Sequence, residues 1–206
     1  MKVPFAPISA TLLLSLTLGG CAKNPPAPMA PLAAPQAADG RVIDPKTEVA
    51  YNPQITTALN LLTGGSSRTW VLDNMAAATI TVGPSDAAPT GYYAGGAAGS
   101  LPACQADDEY TFSTNATLSY NALAETFVAG VSTCQAPRSY TSAFGFGPAV
   151  GLGFAQIELR QPNAFIGVTD APGLVYRILS IDNQHMLLRA GRPNGPLVFT
   201  FKFRVK

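Results

Sequence analysis

Alternation of apolar and polar residues is the feature of this sequence that most restricts its fold. In the last segment Phe199, Phe201, Phe203 and Val205 alternate with Thr200, Lys202, Arg204 and Lys206. Successive side chains of a strand point to opposite faces, so such a run predicts a strand with one buried face. Similar short runs cover residues 68–73, 80–82, 110–113, 118–120, 156–160, 164–168, 174–181 and 185–190. We therefore expect eight to ten short strands joined by tight turns, with 174–181 buried on both sides.

One short helix is predicted before the strands. Asn52 can cap it, apolar residues from Ile55 to Leu62 recur at helical spacing, and Gly64-Gly65 ends it. The fold class is therefore all-β, a small antiparallel meander that closes into a barrel of about eight strands, because closure removes exposed edges. A transmembrane barrel is the competing architecture, but most of the predicted strands are shorter than the roughly ten residues it needs.

The N-terminus has the form of a bacterial export signal. Lys2 precedes a leucine-rich run, and the ending Leu18-Gly19-Gly20-Cys21 resembles the lipobox of bacterial lipoproteins. That resemblance implies cleavage before Cys21, lipidation of its sulfur and a membrane anchor. An uncleaved transmembrane helix and an ordinary signal with an incidental cysteine are the alternatives. By the same resemblance, to lipoproteins of bacteria with two membranes, Ala22 rather than Asp implies forwarding to the outer membrane, with the domain facing either the periplasm or the cell surface.

The chain divides into three regions. Residues 1–20 are the expected signal peptide, residues 21–50 a lipidated cysteine followed by a Pro/Ala-rich disordered linker, and residues 51–206 the globular domain. Pro-rich segments favour extended conformations, so the linker would act as a spacer. Charged residues are 12% of the chain and the net charge is +1. This composition argues against nucleic acid as a partner, because phosphates require clustered Lys and Arg.

Two cysteines remain after Cys21. Cys104 and Cys134 form an even pair in an oxidising compartment, which favours a disulfide between them. Redox work would need Cys-x-x-Cys, and two cysteines with one histidine are too few for structural zinc. We therefore expect no metal and no cofactor.

No catalytic group stands out, and we expect no enzyme. His185 follows a predicted turn, without a Gly-x-Ser-x-Gly nucleophile motif elsewhere. The acidic run 107–109 is interpreted as a solvated strand start, since the further oxygens of a calcium loop do not follow it. The glycine-rich stretch 145–153 is interpreted as a flexible loop or barrel corner.

Several short strings are similar to the lipocalin-like lipoprotein domains common in Bacteroidetes. They are Leu62-Thr63-Gly64-Gly65-Ser66-Ser67-Arg68-Thr69-Trp70-Val71-Leu72-Asp73, Val82-Gly83-Pro84, Tyr92-Tyr93, Cys104 with residues 107–112, 176–181, and 186–189. The match spans about 62–190. It departs from the family at Arg68, where Lys is usual, and at Tyr92 and Tyr93, where Trp is usual. The resemblance implies a small lipocalin-like barrel at the surface or in the periplasm, with glycan-related work in some members.

Three functions follow from these features. The first is a membrane-anchored, non-enzymatic module that binds a small apolar or amphipathic ligand, unless the apolar faces only fill the core. The second is a glycan-binding surface module that uses the aromatic pair in its Gly/Ala/Pro-rich loop. The third is a structural or assembly lipoprotein without a small ligand. The candidates for ligand contact are Tyr92, Tyr93, Trp70 and Arg68.

Overall fold

The computed structural model describes residues 53–206. The signal, Cys21 and the linker lie outside the described residues. An eleven-residue helix, α1 (Pro53–Thr63), begins the described part and confirms the predicted helix. No helix within residues 53–206 has both the length and the apolar character needed to cross a membrane.

Strands make up most of the rest. They are β1 (Ser67–Leu72), β2 (Ile80–Gly83), β3 (Glu109–Ser113), β4 (Thr117–Asn121), β5 (Thr126–Val128), β6 (Thr133–Gln135), β7 (Tyr140–Gly147), β8 (Ala155–Leu159), β9 (Val175–Ile181), β10 (His185–Ala190) and β11 (Val198–Val205). A one-turn helix, α2 (Ala103–Ala106), lies between β2 and β3, and a 3₁₀ turn (Ala129–Val131) joins β5 to β6.

Eight antiparallel strands close into a barrel, as predicted. Their order is β1-β3-β4-β7-β8-β9-β10-β11, and β11 returns to pair with β1, Trp70 opposite Val205 and Leu72 opposite Phe203. The first half of β11 pairs on the same edge with β2, which lies beyond the end of β1. β5 and β6 form a separate two-stranded sheet.

The two ends of the barrel are covered differently. At the helix end, α1 packs Ile55, Ala58 and Leu62 into the core, and the Trp70 indole Nε1 donates to the Leu62 carbonyl at 2.9 Å. The loops β2–β3, β4–β7 and β8–β9 leave the barrel at the opposite end, which we call the mouth.

The interior of the barrel is filled by its own side chains. Inward-facing residues of seven strands are almost completely buried: Trp70, Tyr110, Phe112, Leu118, Tyr120, Ile157, Tyr176, Ile178, Leu188, Phe201 and Phe203. The Tyr110 and Tyr120 rings stack at 5.0 Å, and Phe203 meets Tyr110 edge-on at 5.5 Å. The alternation seen in the sequence therefore serves a packed core.

The prediction of a strand at residues 164–168 is wrong. This segment, which we call the plug, is buried but pairs with no strand. Gly167 has φ +83°, which takes the backbone out of the extended region, and a Cβ there would lie 2.7 Å from the Phe201 ring, so the position requires glycine. Its backbone N–H groups donate instead to tyrosine hydroxyls: Phe165 to Tyr140 at 3.1 Å, Ile166 to Tyr176 at 2.9 Å and Gly167 to Tyr110 at 3.0 Å.

The glycine-rich stretch is a loop only in part. Gly145 and Gly147 belong to β7, opposite Glu158 and Gln156 of β8, and the turn between the strands covers residues 148–154. Of the segment predicted to be buried on both sides, residues 176–178 are fully buried and Ser180 is exposed. Arg177 is the outward-facing member of that buried group.

Candidate ligand groove at the barrel mouth

A groove of about 500 Å³ opens at the mouth, outside the packed interior. β2 and β11 form one wall, the segment 93–102 with α2 forms a second, and the β5–β6 hairpin and the plug form the third. The lining residues are Thr79, Ile80, Val82, Tyr93, Gly96, Ser100, Leu101, Pro102, Gln105, Phe127, Ala129, Ser132, Val168 and Phe199. A depression of about 560 Å³ at the helix end, between α1 and Phe154 and Ile181, is more open to solvent.

Tyr93 is held in the groove wall by backbone pairing. After β2 the chain loops out and returns, so that Val82 N donates to Tyr93 O at 2.9 Å and Tyr93 N donates to Val82 O at 2.8 Å. The Tyr93 side chain is left half-exposed at the groove, with 49% of its surface accessible. A partly exposed ring on a fixed backbone is suited to contact with a ligand.

The floor of the groove is anchored to the core. Phe199 stacks on Phe201 with ring centroids 6.2 Å apart. The buried Gln105 amide Nε2 donates to the Gly167 carbonyl at 3.0 Å, which fixes α2 against the plug. The floor of the groove therefore rests on the packed core and on the plug.

The expected disulfide between Cys104 and Cys134 is present, with an S–S distance of 2.02 Å. It joins α2 to β6 and so ties the β5–β6 hairpin to the groove. Glu125 lies within 4.8 Å of both sulfurs. Thiolates are the sulfur ligands of metals, and these sulfurs are bonded to each other, so this group does not hold a metal in the oxidised protein.

None of the groove-lining residues carries a charge. The polar side chains that line the groove carry hydroxyl groups and one amide. Two of the hydroxyls belong to Ser132 and to Ser100, whose hydroxyl donates to Ala97 O at 2.6 Å. A charged group buried here would lose its hydration without gaining an ion pair. The arrangement favours a neutral ligand with an apolar body.

The interpretation of residues 107–109 as a solvated strand start is wrong for Asp108. Asp107 is exposed and Glu109 pairs with Lys206, but Asp108 is only 2% exposed. The Tyr120 hydroxyl donates to its Oδ1 at 2.8 Å. Burial raises the pKa of Asp108 to about 7, because the charged form loses its hydration.

The structure places the predicted ligand-contact residues at two different ends. Tyr93 lines the groove. Tyr92 beside it does not line the groove, and 64% of its surface is exposed. Trp70 is fully buried at the helix end, with the Arg68 guanidinium 5.9 Å from its ring centroid. Arg68 also donates to the Leu61 carbonyl at 2.8 Å, so this pair fastens α1 to β1.

Sequence reasoning missed most of the groove and one ionic cluster. Phe127 and Phe199 enter the lining from distant segments, and Phe199 was predicted only as a core residue. Asp86 forms ion pairs with Arg177 and Arg189, two arginines at outward positions of paired strands. The one feature of the sequence that indicated this ionic cluster was the single acidic residue, Asp86, between Pro84 and Pro89. His185 is exposed at the helix end, with its Nδ1 3.8 Å from the Asp182 carboxylate.

A scan against protein-family models and a search of curated proteins each found no match.

Proposed function

We propose that this protein is a non-enzymatic, membrane-tethered binding protein that holds a small, uncharged, amphipathic ligand in the mouth groove. The observation that carries the proposal is the groove's composition: apolar walls, no charged residue and the half-exposed ring of Tyr93. Ligand pockets are typically concave, mostly apolar and roughly 300–1,000 Å³ in volume.

The packed interior favours a ligand site at the mouth over one inside the barrel. Barrels of eight strands either fill their interior with side chains or enclose one small ligand. Here Tyr110, Phe112 and Phe201 occupy the interior with no exposed surface. A ligand in the groove would rest on Phe199 and contact Tyr93 from the side.

The groove is tested with a neutral apolar dye, N-phenylnaphthylamine, titrated against the purified domain. We expect Tyr93→Ala to weaken binding about tenfold, as loss of roughly 1.4 kcal/mol of contact would. The matched control is Tyr92→Ala, which removes the neighbouring ring outside the groove. Equal affinities for both variants and the unaltered protein would rule out the groove as the binding site. Mass spectrometry of the protein purified from its host then identifies the natural ligand.

A glycan is the second candidate ligand, favoured by the adjacent rings of Tyr92 and Tyr93, which are 64% and 49% exposed. Sugars stack on exposed aromatic faces, and both rings are then required. Binding on a glycan array that is lost in Tyr92→Ala would support this candidate. Binding that survives the combined Tyr92→Ala and Tyr93→Ala changes would exclude this surface.

The membrane tether rests on the sequence. Cys21 follows Leu18-Gly19-Gly20, and the disulfide accounts for the other two cysteines of the chain. Several acyl chains on one residue bind a bilayer durably, whereas one chain binds reversibly. We expect Cys21→Ser to move the protein from the membrane fraction to the soluble fraction; a variant that stays in the membrane would refute the anchor.

A further inference from the structure

Two arginines on the outer face of the barrel are buried. Arg177 of β9 and Arg189 of β10 are directly opposite each other in the antiparallel pair, and their side chains are 0% and 6% exposed. Their neighbours in sequence, Tyr176 and Leu188, face the core. Outward positions of a small barrel are usually solvated, so a further part of the chain must cover this pair.

The loop 84–92 provides the cover, and Asp86 is its contact. The Asp86 carboxylate accepts two bonds from Arg177, at 2.6 Å from Nη1 and 2.8 Å from Nη2. Arg189 Nη1 donates to the same carboxylate at 3.2 Å, and Arg189 Nε donates to Thr200 at 3.1 Å. One carboxylate therefore bridges two guanidinium groups, and its contact with Arg177 is bidentate.

Charge in this cluster is unbalanced. Among residues 53–206, Asp86 is the carboxylate that pairs with either arginine, so two buried cations face one anion. Arg177 Nη1 and Nη2 also donate to the Leu152 and Gly191 carbonyls, but its buried Nε has no partner. Apolar residues of the same volume would usually be at least as stable as such a cluster. The excess positive charge and the unpartnered Nε donor favour the binding of an anion at this cluster.

The carboxylate is the most accessible of the three groups. The Asp86 side chain is 22% exposed, well above either arginine. Two backbone bonds lie within the loop, Ala88 N to Ser85 O at 3.2 Å and Gly91 N to Ala88 O at 3.3 Å. Two others tie it to the barrel, Tyr92 N to Val82 O at 3.0 Å and Arg189 Nη1 to Asp86 O at 3.4 Å. An anion from solution would meet the arginines by replacing Asp86, which would release the loop from Arg177 and Arg189 while its end stays on β2.

Two contacts link the loop to the groove. The loop starts at Gly83, where any Cβ would collide with the Ala88 carbonyl, so its backbone lies directly on β2. It ends at Tyr93, whose backbone pairs with Val82 in the groove wall. The position of Asp86 and the position of the Tyr93 ring are thus set by one short segment.

We propose that Arg177 and Arg189 form a binding site for a free carboxylate, which Asp86 fills from within the chain, and that a carboxylate ligand displacing Asp86 shifts the loop that carries Tyr93. The site itself stands on the arginine geometry alone. Its effect on ligand affinity rests on the proposed function of the groove.

The test uses acetate as the probe, at constant ionic strength set with sodium chloride, on the Asp86→Ala protein. NMR follows the Nε–H signals of both arginines and the backbone amide of Tyr93. We expect acetate to shift the arginine signals saturably in the millimolar range, to raise the melting temperature, and to return the Tyr93 amide towards its position in the unaltered protein. Asp86→Asn, which keeps the volume of the side chain, provides a second variant should Asp86→Ala not fold.

The matched control is Glu158→Ala, which removes an exposed carboxylate from the exposed Arg160 on the same outer face. Acetate should leave that protein unchanged. Acetate that acts no better than chloride in both Asp86 variants would overturn the site. These signals are read without any groove ligand, so a failure of dye binding to the groove would refute the proposed function while leaving this result intact.

Discussion

Asp108 is a carboxyl group in a position where its charged form is poorly stabilised. It is buried beside the rings of Tyr110 and Tyr120, and among residues 53–206 its carboxyl group accepts one hydrogen bond, from the Tyr120 hydroxyl. The nearby charge of Asp107 adds to the effect of burial. Both effects favour the protonated form, which can keep the contact with Tyr120 while carrying no charge.

Stability should therefore fall as the pH rises. The pKa of Asp108 is about 7 in the folded chain against 3.8 for the unperturbed group. The folded state binds this proton more tightly, so its contribution is complete below about pH 4 and is lost as the pH rises through about 7. Urea unfolding between about pH 5 and about pH 8 should show a loss of a few kcal/mol, and Asp108→Asn should remove most of this dependence.

The two proteins should differ most above neutral pH, where Asp108→Asn is expected to be the more stable. The amide can still accept the Tyr120 hydrogen bond and has no charge to desolvate. An equal pH dependence in both proteins would mean that another group is responsible. Glu158→Gln is the control, since Glu158 is an exposed carboxylate paired with Arg160 and contributes nothing to the pKa shift of Asp108.

At this scale the sequence indicated single residues better than their partners. Tyr93 was predicted to be an aromatic residue in a loop, because its neighbours in sequence are Gly, Ala and Pro. Cys104 and Cys134 were predicted to pair, because they are the two cysteines that remain after Cys21. Asp86 lies 91 residues from Arg177 and 103 from Arg189, and nothing in the spacing of the chain relates them. The two arginines reach one carboxylate because the register between β9 and β10 places them opposite each other.

The plug is the element on which the mouth depends. Residues 164–168 pair with no strand among residues 53–206, so their N–H groups donate to the hydroxyls of tyrosine side chains that face the barrel interior. Tyr110 and Tyr176 accept from Gly167 and Ile166. These hydroxyls thus accept hydrogen bonds that the carbonyl groups of a neighbouring strand accept elsewhere in the sheet.

Tyr110→Phe and Tyr176→Phe should each leave a buried N–H without a partner. Such a loss costs about 1–3 kcal/mol, although the ring and its packing are kept. Unfolding in urea measures the cost, and hydrogen exchange should become faster at the Gly167 and Ile166 amides in the respective variants. Tyr92→Phe is the control, because Tyr92 is exposed. Exchange at these amides unchanged from that of the control would show that the tyrosines do not hold the plug.

Elements with strict alternation were predicted well, and elements without it were not. β3, β8 and β11 repeat apolar residues at every second position and were found from that pattern. β7 was missed because glycines follow its inward-facing residues Phe144 and Phe146, and that glycine content was interpreted as a loop. The plug was predicted to be a strand because its apolar residues are contiguous. Contiguous apolar residues indicate burial but do not distinguish a strand from a buried loop.

At the scale of the whole molecule, the disulfide joins the barrel to its accessory hairpin. The β5–β6 sheet shares no strand with the barrel, yet Phe127 of β5 and Ser132 of the connecting turn line the groove. Cys104 and Cys134 close a loop of 30 residues, which corresponds to about 3.5 kcal/mol by chain entropy.

Replacing both cysteines with serine should lower the free energy of unfolding by about that amount. It should also weaken dye binding, because the hairpin that forms the third wall loses its tie to α2. Titration with the dye at a temperature where the variant is fully folded separates the two effects. Affinity equal to that of the disulfide-bonded protein under these conditions would show that the hairpin needs no tie to α2.

β11 is the strand on which closure of the barrel depends. One edge pairs with β10 and the other is divided between β1 and β2, all of which are synthesised earlier. Until residues 198–205 dock, β1 and β10 each present a free edge that a second copy can extend. Because closure joins distant parts of the chain, it is slow compared with forming local hairpins. Folding therefore becomes a competition between first-order closure and second-order aggregation, and the yield of folded protein should fall as its concentration rises.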